Sequence, residues 1–340
     1  MHNIYLGMLG KNLCSISDTA TNRSILITGI SGSGKTCRLQ QIELDAVQNG
    51  YIVIVLDTSY SHDSNQIYNP IRSDYETLCK RISASQDGID FDLFSSSSFS
   101  HQQTSRIIND VTQVIANSSN LGQRQTKILR KAVATAYNNY TPGKNEIQLI
   151  GDNLINLECD GEDLYDRLWV LFQCDALRPC KYQFEQGKIN IITISDFDPA
   201  TQKIIAEMFL SSVWNNRRTI SSDNTNLIIV LDECQRLYLG SNSVTCQILR
   251  EGRKYGINLI LATQSLSIFP KSTVSMLEQA GTKLYFQPAQ SDVRRIAKSL
   301  EQAYGVNWQQ TLSRLRRGES VTDGILQIGT LTTRRSLILT

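Results

Sequence analysis

The eight cysteines of this 340-residue chain never fall into CxxC pairs. Cys174 and Cys180, with five residues between them, have no histidine nearby, so the spacing of a tetrahedral zinc site is missing. Scattered cysteines of this kind fit buried or inert free thiols in a reducing cytosol. Long hydrophobic runs are missing too. Strand-like segments such as "YIVIVLD" fall far short of the roughly 18 apolar residues that a membrane helix needs. The amino terminus, "MHNIYLGMLGKNL", has no basic segment leading into an apolar core. No signal peptide and no membrane insertion are therefore expected, and the chain reads as cytoplasmic. Neither sign of charge dominates: a net charge of +2 excludes a globally basic surface. It leaves room for a local basic stripe, or for a basic channel in a ring assembly. Proline-rich linkers are absent, as are internal repeats with a period of about 20–50 residues.

What is present is an ordinary packed composition, 41% hydrophobic and 19% charged, which excludes wholesale disorder. Short β-branched runs alternate with helical patterns, the signature of a parallel sheet with crossover helices. Strands are expected at 24–28, 51–57, 226–233, 257–265 and 282–288, with another in "INIITISDFDP". A helix is expected from Lys35 to Asn49, closed by Gly50. A second is expected after Asp198 as cap and Pro199 at the first helical position, with Ile204, Ile205, Met208, Phe209 and Val213 on one face. Residues 104–138 read as mostly helical, with a break at "NSSNLGQ". "FSSSSFSHQQ", at 94–103, reads as an exposed loop, and "RPCKYQFEQGK" as a turn or hairpin. The domain expectation is a short segment at 1–23, then one α/β domain over 24–340 with a helical or irregular insertion at about 95–188.

"SILITGISGSGKTCRLQ", residues 24–40, contains G-x-x-x-x-G-K-[ST] in Gly29, Gly34, Lys35 and Thr36, with Gly32 as a further glycine. Glycines let consecutive amides turn inward around an anion, and the following helix presents its positive end. The stretch Gly29, Ser31, Gly32, Ser33, Gly34, Lys35, Thr36 and Cys37 is therefore the candidate phosphate cradle. Lys35 would reach the β and γ phosphates of ATP, and the Thr36 hydroxyl would bind Mg²⁺.

"LIIVLDEC" places Asp232 and Glu233 at the end of a buried strand. In a parallel sheet that end lies beside the phosphate loop. Asp232 suits Mg²⁺, and Glu233 suits activation of a water, with alternating strand directions expected to separate the two acids. Gln264, after "INLILAT", is a candidate γ-phosphate sensor. Arg250, Arg253 and Lys254 stand just before that strand; Arg250 or Arg253 is the candidate finger, donated to a neighbouring subunit's γ phosphate.

At this point the chain resembles the HerA/FtsK superfamily of ring-forming DNA pumps, and within it the HerA-like and VirB/TrwB-type ATPases. The resemblance rests on "ITGISGSGKT", "IVIVLDTSYSHD", "NLIIVLDECQRL", "REGRKYGINLILATQS" and "EQAGTKLYFQPAQSDVRRIAKSL", in that order, with "LSRLRRGESVTDGI" similar to the family's closing strands. It implies a RecA-like P-loop NTPase core of the ASCE type with a mainly parallel sheet. It also implies a hexamer with ATP between subunits, an arginine finger across the interface, and DNA held by its backbone in a central channel. A nuclease or another effector is the implied protein partner. Arg23, just ahead of the first core strand, matches a position where HerA-like proteins carry a nucleotide-holding basic residue. The 23 residues before that strand are too few for the small β-barrel of HerA.

No zinc finger, basic zipper or helix-turn-helix is legible. Candidate DNA-backbone contacts are Arg124, Lys127, Arg130, Lys131, Arg314, Arg316 and Arg317. Two readings stay open: a DNA-translocating ATPase, and a nucleotide-switched regulatory protein that acts on a protein partner without DNA.

Overall fold

The computed structural model describes residues 4–9, 12–16, 22–89, 94, 101–141, 143–174, 176–177, 184–219, 226–300, 306–317, 321–329 and 331–338. The strands are β1 (Ile4–Leu9), β2 (Asn12–Ile16), β3 (Ile25–Thr28), β4 (Ile52–Asp57), β5 (Cys79–Ser83), β6 (Ile189–Thr193), β7 (Leu227–Leu231), β8 (Ile257–Thr263), β9 (Thr282–Tyr285), β10 (Val321–Ile328) and β11 (Leu331–Ile338). The helices are α1 (Lys35–Gln48), α2 (Arg72–Leu78), α3 (His101–Ser118), α4 (Gln123–Asn138), α5 (Glu146–Ile155), α6 (Glu158–Arg167), α7 (Trp169–Gln173), α8 (Pro199–Thr219), α9 (Val244–Glu251), α10 (Lys271–Leu277), α11 (Gln290–Leu300) and α12 (Trp308–Ser313).

All eleven strands join one sheet in the order β2-β1-β11-β10-β9-β3-β8-β7-β4-β6-β5. From β9 to β5 every neighbour is parallel, and from β9 outward to β2 every neighbour is antiparallel. The parallel strands are apolar on both faces because both faces are covered. Ile25, Ile27, Val53, Val55, Val230 and Ile260 pack on Leu39, Ile42 and Ala46 of α1. Leu26, Ile54, Leu56, Ile229, Leu231 and Leu261 point the other way, into a cluster with α3–α5 and α7–α9. The helices between β5 and β6 thus share the core of the opposite face. This is the α/β architecture expected from the sequence, a mainly parallel sheet of P-loop NTPase type.

Local signals hold at the helix ends. Asp198 Oδ1 accepts from the amides of Ala200 at 2.9 Å and Thr201 at 3.2 Å, capping α8. Ile204, Ile205, Met208 and Phe209 are buried on that helix. Two features depart from the sequence reading. The amino-terminal segment forms the β1–β2 hairpin, which extends the sheet through β11. An edge strand, β5, follows α2. Of the serine-rich loop at 94–103, residues 95–100 lie outside the described residues, and α3 already begins at 101. Residues 178–183 of the expected turn or hairpin also lie outside them. Among the described residues no helix is long and apolar enough to cross a membrane.

Candidate nucleotide site

Because the strands from β9 to β5 are parallel, the residues that follow them collect along one edge. The ends of β3, β4, β7 and β8 supply the polar side chains of the site, and the chain after β9 flanks its loop.

The loop after β3 is clamped from both sides. The Ile30 amide donates to Gln287 O at 2.8 Å, and the Gly29 amide to Thr263 O at 3.4 Å. A Cβ on Gly29 would stand 2.8 Å from Phe286 Cβ and 3.1 Å from Gln287 O, so the closeness of the chain after β9 requires glycine there. Gly34, at φ 96, turns the loop into α1 through the left-handed region. Ser31 and Gly32 are exposed, Ser33 and Gly34 are buried, and Thr36 and Cys37 open α1 half-buried. Lys35 is 5% exposed, and its Nζ donates to the Ile30 carbonyl at 3.1 Å. Burial holds its pKa below the ordinary lysine value, while the Glu233 and Asp232 carboxylates pull it upward. The two acids therefore lie near enough to the lysine for their charges to act on it.

Asp232 is buried, immediately after β7. Its Oδ2 accepts from Ser61 Oγ at 2.9 Å, and its Oδ1 from the Glu233 amide at 2.9 Å. Burial raises its pKa; the nearby His62 charge and the Ser61 hydrogen bond oppose that rise. Glu233 is not on the strand. It sits at φ 52, ψ 46, in the left-handed region, and heads a short 3₁₀ turn over Cys234–Arg236. The two acids diverge because of this turn, not through strand alternation as expected, and a non-glycine residue held there stores strain. Gln264 Nε2 donates to both Glu233 carboxylate oxygens at 3.0 Å, and Gln235 Nε2 also donates to Oε2.

The loop after β4 was not assigned a role from the sequence, yet its Ser61 bonds Asp232 directly. Asp57 accepts from the amides of Ser59 at 3.0 Å, Ser61 at 3.2 Å and His62 at 3.0 Å, which folds the loop back on itself. His62 is fully buried. Its Nε2 meets Glu43 Oε1 of α1 at 3.0 Å, and its Nδ1 meets Ser61 Oγ at 3.0 Å. Tyr75 of α2 donates to Glu43 Oε2 at 2.5 Å. Burial alone would lower the imidazole's pKa. The charge and hydrogen bond of Glu43 outweigh it, with Asp57 and Asp232 adding, and the pKa rises to about 9. The raised pKa keeps His62 an imidazolium that donates both ways, to Glu43 through Nε2 and to Ser61 Oγ through Nδ1, and Ser61 in turn donates to Asp232. The signals available in the sequence were polar residues crowding the end of an apolar strand, as at β7, and an acid among the buried positions of α1.

Of the remaining expected residues, only Arg317 is brought to this edge within the chain. Arg23 stands at the amino end of β3, with Nη1 3.5 Å from Tyr51 OH. Arg250 ends α9, and Arg253 lies in the following 3₁₀ turn, both exposed at the amino end of β8. Of the basic residues singled out for DNA, Arg124 makes two 2.8 Å hydrogen bonds to the Asp160 carboxylate, while Lys127 and Arg130 line an open cleft against α3. Lys131, Arg314 and Arg316 are exposed. Arg317 lies against the phosphate loop.

The residues present fit a magnesium nucleotide. The Thr36 hydroxyl and Asp232 carboxylate are the oxygen ligands that a hard cation takes. The buried Lys35 ammonium and a loop that leads into a helix amino terminus suit a polyphosphate.

The model of the zonular occludens toxin (Zot) family matches residues 164–285, a span that contains Asp232, Glu233 and Gln264. No curated protein sequence matches the chain. Among solved structures, VirB4 of Thermoanaerobacter pseudethanolicus superposes with a TM-score of 0.74 at 16% identity, covering 98% of this chain and 96% of that one. The bacterial conjugative coupling protein TrwB superposes with a TM-score of 0.63 at 11% identity, covering 96% and 87%. TrwB in complex with ADP and Mg²⁺ gives 0.59 at 11% identity, covering 94% and 85%. The chain therefore shares the fold of VirB4 and TrwB.

Proposed function

We propose that this protein is a ring-forming ATPase that couples hydrolysis of magnesium-bound ATP to movement of DNA. The observation that carries the reading is the meeting of Lys35, Asp232 and a Glu233 carboxylate held by Gln264 at one strand edge. The fold shared with the TrwB coupling protein, solved with ADP and Mg²⁺, supports both the nucleotide and the motor assignment.

Lys35 exchanges the Ile30 carbonyl for the β and γ phosphates. Thr36 and Asp232 hold the Mg²⁺ ion, whose charge when bound offsets that of the phosphates. Glu233 accepts the proton of the attacking water. Gln264 keeps that carboxylate in place and is the contact through which the state of the γ phosphate reaches β8. Arg250 and Arg253 stand at the opposite strand edge from the phosphate loop, so their finger role requires a neighbouring protomer's site. A hexamer supplies that geometry and lines a channel with one set of cations per protomer, giving DNA-backbone binding that weakens with salt. A nuclease or another effector would act on the DNA so delivered.

The test is ATPase rate with and without single- and double-stranded DNA, at low and moderate salt, alongside mass in solution with ATP. Stimulation by DNA is expected, together with a hexamer. Absence of stimulation by every DNA form would favour the nucleotide-switched regulatory reading instead. Glu233→Gln should bind ATP and assemble but turn over at least about 100-fold more slowly. Turnover at the parental rate would overturn the assignment of Glu233.

A further inference from the structure

Arg317 is 285 residues from Gly32 in sequence, yet its Nη1 donates to Gly32 O at 3.3 Å and its Nη2 lies 3.8 Å from Cys37 Sγ. The guanidinium thus spans the rim of the phosphate loop, from its exposed bend to the first turn of α1. Neither contact explains a cation in that place. One partner is a neutral carbonyl at long range and the other a thiol, and among the described residues no carboxylate pairs with it. The side chain is exposed, but the backbone beneath it is fixed. Arg317 bridges Thr322 in antiparallel fashion, and the Asp323 amide donates to Arg316 O at 2.9 Å. Because β10 runs antiparallel to β9, the chain entering β10 lies at the same edge as the phosphate loop.

The sheet order decides which part of a nucleotide this arginine meets. The acids Asp232 and Glu233 reach the loop from β7, two strands from β3 on one side. Arg317 reaches it from β10, two strands from β3 on the other. The γ phosphate belongs to the side of the acids. Lys35 serves the β and γ phosphates and Thr36 the metal, so Cys37, next along α1, faces the nucleoside end. The charge of Arg317 is felt there: burial raises the Cys37 thiol pKa, and the guanidinium is the largest influence drawing it back down.

We propose that Arg317 is a nucleotide-binding residue acting within its own chain, and that its guanidinium takes the α-phosphate of ATP and ADP alike. This rests on the ATP reading above and adds a contact on the flank away from the chemistry. The planar fork of an arginine suits two oxygens of one phosphate, and its weak partners in this structure are readily exchanged for charged ones.

The test measures affinity for ADP and for a non-hydrolysable ATP analogue, each with Mg²⁺, together with kcat and KM. Arg317→Gln keeps a neutral donor for Gly32 O and removes the charge. It should weaken both nucleotides by a similar factor, about 10–100-fold, with kcat at saturation within about twofold of the parent. Arg317→Lys should recover part of the loss. Without nucleotide the melting temperature should stay at the parental value, and the rise on adding ADP should shrink. Parental affinity in Arg317→Gln would overturn the inference, and so would a fall in kcat at unchanged KM. A lower melting temperature without nucleotide, with affinity intact, would make the residue a brace for the loop and overturn it as well. Lys35→Ala separates the two levels. If it loses binding while Arg317→Gln does not, only the role of Arg317 falls. If the parental chain binds neither nucleotide, the ATP reading falls with it.

Discussion

Two sets of buried acids in this molecule have opposite fates. Glu43, Asp57 and Asp232 lie close together at the carboxyl edge of the sheet, all at most 1% exposed. They stay compatible because every one has donors: His62 and Tyr75 for Glu43, three loop amides for Asp57, Ser61 and the Glu233 amide for Asp232. Glu207 of α8 is equally buried but alone. Its Oε2 accepts from the Val244 amide at 3.1 Å, while Oε1 has no partner and the cavity beside it measures about 50 Å³. Burial pushes its pKa to about 8, with the Val244 amide pulling the other way. The contrast is between buried acids well supplied with hydrogen-bond donors and one that is not. Proximity of other acids matters less than the number of donors, and one imidazolium can hold three acids together.

Breaking the first set should have the larger effect. His62→Ala leaves Glu43 and Asp57 without their shared cation and should destabilise the fold by about 3–5 kcal/mol, measured by urea unfolding at pH 7. The pKa of His62 rises on folding from 6.5 to about 9. Its contribution is therefore complete below pH 6.5 and is lost as pH rises through about 9. The gap between parent and variant should close over that interval. A gap unchanged from pH 6 to 10 would mean that His62 acts by packing and not by charge.

The second set should respond in the opposite direction. The unfolded chain ionises Glu207 near pH 4.5 and the folded chain only near pH 8, so the parent loses stability across that range and none above it. Glu207→Gln keeps the acceptor for Val244 and carries no charge. It should match the parent below pH 4.5 and exceed it at pH 9 by about 2–4 kcal/mol, at about 1.4 kcal/mol per pKa unit and allowing for water entering the cavity. Equal stability at pH 9 would mean that Glu207 has found a partner in solution.

The same contrast explains what could be read without coordinates. The phosphate loop and the Asp232–Glu233 pair are each contiguous, and glycine spacing or a strand followed by acids signals them locally. The parallel strands are legible because burial on both faces makes them apolar throughout. The His62 network is not contiguous. It joins α1, the loop after β4, α2 and the end of β7, and only the fold brings Glu43 and Tyr75 to it. Arg317 hides for the same reason, and a cluster of basic residues before β10 resembled a DNA contact more than a phosphate ligand. Strand β1 escaped notice because its alternation is interrupted: the register shifts between Tyr5 and Gly7. The direction of Glu233 was explained wrongly because nothing in "VLDEC" announces a left-handed residue.

The smallest effect bears on how the buried network serves the site. Ser61 Oγ accepts from the His62 imidazolium and donates to Asp232 Oδ2, which makes it the link between the network and the proposed metal ligand. Removing the hydroxyl leaves Asp232 with the Glu233 amide and a freed oxygen, at a cost to stability of about 1 kcal/mol. Orientation should suffer more than stability, because a carboxylate held by one hydrogen bond samples more rotamers than one held by two. Ser61→Ala should therefore raise the Mg²⁺ concentration for half-maximal ATPase rate by about 3–10-fold, with little change in the rate at saturating Mg²⁺. Ser61→Thr, which restores the hydroxyl, should restore the parental Mg²⁺ dependence, whereas a role in packing alone would not distinguish hydroxyl from methyl. If the Mg²⁺ titration of Ser61→Ala overlays the parent's, the buried network holds the fold together without tuning Asp232. Asp232 and Glu233 would then operate with no help from the histidine beneath them.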